Sequence, residues 1–244
     1  MKGLHAIYRR ELAGLFVGPL AWVLLFLALG LNGFLFVYYL KNYAGDVDLA
    51  LRVELGGSVF WALAALFPPL LTMRMLSEEA KSGLLEYLLT APVTDLALVL
   101  GKFLAALSFM ALLWSVAFLH AGAAALAGAP IEWGVLLSSW VSAVLVSCLF
   151  CASGILASSL TSIPLLAAFA AVLFHLVIVL APTLSGLSDS PYVHSAVARI
   201  DVLAHQGDAF LLGVFDSAHA LFFLAWSALF LFLAVRAVEA RRWR

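Results

Sequence analysis

One charged stretch stands out in a chain that otherwise avoids charge. Residues 72–95 read TMRMLSEEAKSGLLEYLLTAPVTD and set glutamates, an arginine and a lysine beside leucines. Ser77 can cap a first helical turn, and the positive end of that turn favours the Glu78 and Glu79 carboxylates. Thr94-Asp95 then starts another helix. The stretch therefore predicts short helical pieces separated by a turn.

A leucine stripe follows that turn. Gly83 allows a corner before the helical piece 84–91, and Pro92 ends it. This piece is far too short to cross a bilayer, so its leucines need another apolar surface. The lipid interface, this protein's own helix ends and a groove on a second protein all remain open. The stripe, with Glu86 opposite, consists of Leu84, Leu85, Leu88 and Leu89.

Residues that could act as nucleophiles or metal ligands occur in apolar runs. Cys148 and Cys151 have CxxC spacing, but no second pair and no histidine at ligand spacing accompany them. We interpret them as packing residues between helices. Ser153 and His175 could form the serine–histidine pair of an intramembrane enzyme, but small-residue runs like the one around Ser153 are typical of close helix packing. The sequence predicts no catalytic, cofactor or metal residue.

Three histidines fall in or near the apolar runs, namely His120, His175 and His219. A lone histidine there can relay protons, but more typically it hydrogen-bonds a neighbouring helix. A secondary transporter driven by an ion gradient is the alternative function to weigh. Such transporters usually place charged residues inside their spans, and the predicted spans contain no Asp, Glu, Lys or Arg.

The composition shows which solvent surrounds these residues. The 244-residue chain is 65% hydrophobic and only 11% charged, with a mean hydropathy of +1.11. A water-soluble domain is about half apolar and about a quarter charged. The polar surface here is too small to cover a soluble globule, so the chain must lie in lipid.

Six apolar runs free of Asp, Glu, Lys and Arg are long enough to span a bilayer as helices. No period-two alternation supports a transmembrane barrel. We expect an all-α polytopic membrane protein with one transmembrane domain over residues 1–244. The predicted spans are 19–40, 57–73, 103–127, 133–158, 163–182 and 217–235.

The basic residues predict the orientation. If the N-terminus is inside, ten of the 13 Lys and Arg residues fall in inner segments. Positive residues concentrate on the cytoplasmic side, so both termini should be cytoplasmic. Residues 41–56 and 183–216 are then external, and the latter should form one or two short helices beginning near Ser195. Asp216 should cap the final span.

The N-terminal residues LHAIYRRELAGLF form an amphipathic pattern before the first span. The apolar residues share one face at 100° per residue, and the basic residues lie away from it. We expect a short helix lying along the inner headgroups. Its apolar face consists of Leu4, Ile7, Tyr8, Leu12 and Leu15.

Residues 69–107, PLLTMRMLSEEAKSGLLEYLLTAPVTDLALVLGKFLAAL, closely resemble the cytoplasmic loop of ABC type-2 permeases, the membrane subunits of ABC exporters. The shared pattern is TMR, an acidic pair, a small-Gly turn, an E-x-L-L-T-x-P helix and GK at the third span. Leu84 stands where many relatives have Thr. The segments HQGDAFLLGVFD and FLFLAVRAVEARRW resemble the gliding-motility and nitrous-oxide-reductase-accessory branch.

The resemblance implies a coupling helix near 82–91 that sits in a cleft of a separate cytoplasmic ATPase subunit. Leucines would bury in the cleft, and glutamates would meet basic residues there and set the register. Closure of two ATPases would swing the helix bundles from inward- to outward-open. The positions that would contact the ATPase are Glu78, Glu79, Gly83, Leu85, Glu86, Leu88, Leu89 and Pro92.

The chain should not be an enzyme by itself. It has no G-x-x-x-x-G-K-[ST] motif, so ATP and Mg would bind on the partner ATPase and no cofactor in this chain. Six spans make half of the usual two-bundle exporter, so the chain should dimerise with itself or a related permease. The expected location is a bacterial or archaeal cytoplasmic membrane, with lipid and no nucleic acid as a further partner.

Overall fold

The chain folds into a bundle of long helices, and no β-strand occurs in the residues described. The structure is a computed structural model, and it describes residues 2–84, 93–186, 190–207 and 209–242. Six helical segments are long and apolar enough to cross a membrane, which confirms the prediction of an all-α, six-span membrane protein. They are Pro19–Asn42, Val47–Lys81, Asp95–Leu126, Trp133–Leu160, Pro164–Ser185 and Ser217–Arg241.

Several of these segments consist of more than one helix. The helices, in chain order, are α1 (Lys2–Val17), α2 (Pro19–Asn42), α3 (Val47–Gly56), α4 (Ser58–Thr72), α5 (Ser77–Lys81), α6 (Asp95–Trp114), α7 (Val116–Leu126), α8 (Trp133–Leu160), α9 (Pro164–Ser185), α10 (Pro191–Ile200), α11 (Val202–Gly207) and α12 (Ser217–Arg242), with a 3₁₀ turn at Phe210–Leu212.

The second candidate span is longer than the predicted run 57–73. The span begins with helix α3, and Val47, Leu51 and Leu55 of α3 are buried in the bundle. The predicted external segment 41–56 is therefore mostly part of the second helical segment. A search for uncharged runs excludes this stretch, because Glu54 interrupts its apolar pattern. Glu54 is nevertheless buried.

Helix α8 lies at the centre of the bundle and packs on α3, α4, α6, α9 and α12. Its many small residues let neighbouring backbones approach closely. At Gly154 an added Cβ would lie 2.3 Å from Thr72 Oγ1 of α4. Cys148 and Cys151 are buried free thiols in this same helix, in agreement with a packing role.

The apolar face of α1 packs along α6. Ile7 is buried, and the Tyr8 hydroxyl lies 3.2 Å from Ser108 Oγ. The two helices approach so closely at Gly101 that an added Cβ would lie 2.7 Å from Ile7 Cγ2 and 3.2 Å from the Leu4 carbonyl oxygen. The amphipathic N-terminal helix therefore has a protein neighbour, while its position at the headgroups stays a prediction.

The segment between the last two spans contains α10, α11 and the 3₁₀ turn. The prediction that a helix begins near Ser195 was wrong. Helix α10 begins at Pro191, and the Ser195 hydroxyl donates to the Tyr192 carbonyl within it. Asp216 does cap the final helix, because its carboxylate accepts the Ala218 N–H at 2.8 Å.

Candidate functional site

The first residues predicted to contact an ATPase lie in α5, the short helix that follows α4. Ser77 is the first residue of α5 rather than its cap, and its hydroxyl donates to the Met73 carbonyl. The cap comes from another helix. Ser158 Oγ of α8 accepts the N–H groups of Leu76 and Ser77, each at 3.1 Å, and donates to the Met73 carbonyl at 3.1 Å. This single hydroxyl anchors the turn to the bundle.

The chain turns at Gly83 after α5. Gly83 has a φ of +75°, a left-handed conformation that glycine adopts without strain. Glu78, with a side chain 59% exposed, and Leu84 both face outward near this corner. Thr94 caps α6 on the far side by accepting the Ala97 N–H, as predicted. Five of the predicted contact residues lie outside the described residues: Leu85, Glu86, Leu88, Leu89 and Pro92.

Glu79 points toward its own chain and differs in this from Glu78. Its Oε1 lies 2.8 Å from Lys102 Nζ and 2.8 Å from an Arg10 guanidinium nitrogen. Lys102 is 1% exposed and also lies 2.9 Å from Glu11 Oε1. Four charged residues thus form one network, which joins α1, α5 and α6.

Attraction between opposite charges stabilises the network, and Arg10 takes part in it through both glutamates. Arg10 Nη2 also contacts Glu11 Oε1 at 2.5 Å. Burial lowers the pKa of Arg10, but the hydrogen bonds and charges of Glu11 and Glu79 outweigh it, so the Arg10 pKa lies above its ordinary value. A charge as buried as that of Lys102 is tolerated only where such partners surround it.

Comparison with known families identifies the family to which this helix bundle belongs. A family model described as ABC-2 family transporter protein matches residues 53–189, more than half of the chain. The chain belongs to this ABC-2 transporter family. The matched region of the ABC-2 protein runs from α3 to the end of α9 and contains the turn and Lys102. None of the curated proteins matches the chain.

The Ser153 and His175 side chains of this ABC-2 protein do meet. Ser153 Oγ lies 2.8 Å from His175 Nε2, and His175 Nδ1 lies 3.0 Å from the Ala65 carbonyl oxygen. A serine nucleophile also needs donors for an oxyanion, usually backbone N–H groups. Ser153 lies mid-helix in α8, where those groups are used by the helix itself. The contact therefore serves as a hydrogen-bonded link between α4, α8 and α9.

A buried acid–base pair occurs in the opposite half of the bundle. Glu54 of α3 and His120 of α7 are in contact, with His120 Nδ1 2.9 Å from Glu54 Oε1, and the imidazole stacks on Phe36 at 5.0 Å. His219 lies 3.8 Å from the Asp216 carboxylate. In the part of the chain that the structure describes, no group of three His, Cys, Asp or Glu residues could hold a metal ion.

Three residues that position the charged turn were not identified from the sequence. They are Glu11, Ser158 and Lys102, whose burial was not predicted. Lys102 was counted only as a basic residue that sets the orientation. A signal was present, because a lysine about two turns inside an apolar helix needs a carboxylate partner. Ser158 gave no signal, because one serine among seven buried serines of α8 carries no pattern.

Proposed function

We propose that this ABC-2 permease is the membrane subunit of an ATP-driven exporter of the gliding-motility and nitrous-oxide-reductase-accessory type. A separate cytoplasmic ATPase, present in two copies with its ATP and Mg, supplies the energy. The permease works as a dimer, with itself or a related permease, in a bacterial or archaeal cytoplasmic membrane with both termini in the cytoplasm.

The observation that carries the proposal is that two neighbouring glutamates have different exposure and different partners. Glu78 is 59% exposed and has only a long, exposed ion pair of 3.9 Å with Arg74, so a partner can reach it. The Glu79 side chain is 12% exposed and bound to Lys102 and Arg10. A partner that pushes on the segment 78–92 would therefore move α1 and α6 with it. Rigid-body movement of packed helices is a common way to switch between states.

The leucine stripe supplies the apolar part of the ATPase contact. Leu88→Glu should remove an apolar contact worth about 1.5–3 kcal/mol, which corresponds to roughly 10- to 150-fold weaker binding. The measurement is the amount of ATP-hydrolysing subunit that purifies with the tagged permease from the native host. Leu126→Glu is the matched control, because Leu126 is 93% exposed at the end of α7 on the other side of the membrane.

Glu86→Lys reverses the charge that the sequence predicts to lie opposite the leucine stripe. We expect it to release the ATPase or to uncouple ATP hydrolysis from transport. If Leu88→Glu and Glu86→Lys both leave the co-purified ATPase and its activity unchanged, the segment is not the coupling element.

A gradient-driven transporter remains the second candidate, because the Glu54–His120 pair places a carboxylate and an imidazole inside the bundle. Such pairs can carry protons in transporters. Transport by the permease alone in vesicles with a pH gradient and no ATPase, abolished by Glu54→Gln, would favour this candidate. Transport only with the ATPase and ATP would favour the first.

A further inference from the structure

A cavity of about 820 Å³ opens beside the ion-pair network. It lies between α1, the first turns of α2 and the turn that follows α4, and Lys102 lies at its buried end. Binding sites for small ligands typically have volumes of about 300–1,000 Å³. The cavity is therefore large enough for a lipid headgroup with its glycerol.

The walls of this cavity change from apolar to charged along one direction. Leu20 and Val23 belong to the first candidate span, and Leu71 to the last turn of α4. Arg74 and Glu78, exposed at 63% and 59%, form a 3.9 Å ion pair at the rim, where α5 begins. The cavity thus crosses the boundary between hydrocarbon and headgroups, the position that a phospholipid occupies.

The charged walls balance each other. Three cations, Arg10, Arg74 and Lys102, face three anions, Glu11, Glu78 and Glu79. A site with equal numbers of both charges attracts neither an anionic nor a cationic headgroup by net charge. It can match a headgroup that carries a phosphate and an amine together.

One carboxylate oxygen beside the cavity lacks a donor among the described residues. Glu79 Oε1 accepts from Lys102 and Arg10, but Glu79 Oε2 is buried and no described residue donates to it. An unsatisfied buried carboxylate oxygen is costly, so it favours a ligand with N–H donors. A primary ammonium has three such donors, and a quaternary ammonium has none.

We propose that this cavity binds a phospholipid with a phosphoethanolamine headgroup. Binding rotates the Glu79 carboxylate so that the buried Oε2 meets the ammonium, which donates to it. The phosphate joins Glu78 at the exposed guanidinium of Arg74, and the acyl chains leave along Leu20 and Val23. The bound lipid sits against the same glutamate that pairs with Lys102, so it supports the junction of α1, α5 and α6. The inference does not depend on coupling to an ATPase.

Gly14 allows a steric test that leaves the ion pairs intact. It lines the cavity from α1, and a Cβ at this position would meet nothing within 4 Å. The Cβ of Gly14→Phe is therefore unobstructed, and its ring should occupy cavity volume, while Gly14→Ala should leave room for the lipid. Gly134→Phe is the matched control, since Gly134 of α8 also has open space around its Cβ and lies outside the cavity.

The full-length permease is delipidated in detergent and titrated with phosphatidylethanolamine, phosphatidylcholine or phosphatidylglycerol of identical acyl chains, with native mass spectrometry as the readout. We expect phosphatidylethanolamine to bind about tenfold more tightly than the other two, the equivalent of one charge-assisted hydrogen bond. Gly14→Phe should weaken its binding about tenfold or more, with Gly14→Ala and Gly134→Phe close to wild type. Glu79→Gln should reduce the preference over phosphatidylcholine.

Three results would overturn the proposal. The first is equal binding of all three lipids, and the second is wild-type binding by Gly14→Phe. The third is binding of soluble phosphoethanolamine as tight as that of the lipid, which would mean that the apolar wall does not take part and that the ligand is a free phosphate compound. Thermal unfolding of each variant identifies any loss that comes from misfolding.

Discussion

Lys102 joins two carboxylates that come from different parts of the chain. Glu11 and Glu79 are far apart in sequence, and both lie within 2.9 Å of the Lys102 ammonium. The ammonium is almost completely buried, so its solvation comes from these two partners. Removal of the lysine would leave two carboxylates facing each other, with Arg10 as their remaining ion-pair partner among the described residues.

Lys102→Met should therefore lower the free energy of unfolding by about 3 kcal/mol, the usual cost of breaking a buried ion pair from one side. Unfolding in mixed detergent micelles measures this loss. Lys81→Met is the matched control, because Lys81 is exposed at the end of α5 and should change stability by less than about 0.5 kcal/mol.

The double variant of Lys102→Met with Glu79→Gln tests whether charge is the cause. Neutralising one carboxylate should recover part of the stability, since fewer unpaired charges remain. A double variant as unstable as the sum of both single variants would show that packing, and not charge, dominates at Lys102.

At the scale of elements, α5 depends on a helix far away in the sequence. The Ser158 hydroxyl of α8 satisfies both N–H groups at the start of α5 and the Met73 carbonyl before it. A helix of five residues has little stability of its own, because nucleation is costly and few hydrogen bonds repay it. The position of the charged turn therefore comes from tertiary contact.

Ser158→Ala should leave the N–H groups of Leu76 and Ser77 without this acceptor, although the Met73 carbonyl keeps the Ser77 hydroxyl, and should destabilise the protein by about 2 kcal/mol. Hydrogen exchange at Leu76 and Ser77 should become faster than elsewhere in the bundle. Ser159→Ala is the neighbouring control, because the Ser159 hydroxyl donates only to Leu156 within its own helix. Equal effects of both alanine variants would contradict the capping role.

The contact between α1 and α6 rests on the absence of a side chain at Gly101. Gly101→Ala would place a Cβ within 2.7 Å of Ile7 and 3.2 Å of the Leu4 carbonyl. We expect it to destabilise the protein by about 1–3 kcal/mol through overpacking. Gly122→Ala of α7 meets open space and should be neutral or stabilising, because alanine favours helix. Melting temperatures in detergent distinguish the two variants, and equal temperatures would refute the close approach.

At the scale of the whole molecule, an even number of candidate spans predicts that α1 and the end of α12 lie on the same side of the membrane. The basic residues favour the cytoplasmic side for both. The charged turn, the network and the cavity then all lie on that side, whereas Glu54 and His120 lie toward the other.

Single cysteines test this orientation in a Cys148→Ala/Cys151→Ala background. Asn42→Cys, at the exposed end of α2, should react with a membrane-impermeant maleimide in intact cells. Ser82→Cys, exposed after α5, should react only after permeabilisation. The reverse labelling pattern would show that the protein has the opposite orientation, and the charged turn could then not contact a cytoplasmic ATPase.

Composition and periodicity were sufficient to predict the class of fold. The apolar runs, the absence of two-residue alternation and the amphipathic N-terminus depend on local chemistry, so they can be read along the chain. The helix starts at Thr94 and Asp216 were predictable for the same reason, because a cap involves residues only two or three positions apart. Family membership was also predictable, from the motif around residues 72–102.

Only the tertiary structure decided which charged residues face inward. Glu78 and Glu79 are adjacent and chemically identical in the sequence, yet one is exposed and the other is bound to Lys102. The second span likewise begins earlier than its uncharged run, and the buried Glu54 in it has a partner in His120 of another helix. A buried charge is stabilised by partners from distant segments, and their meeting depends on how whole helices pack, which no local pattern encodes.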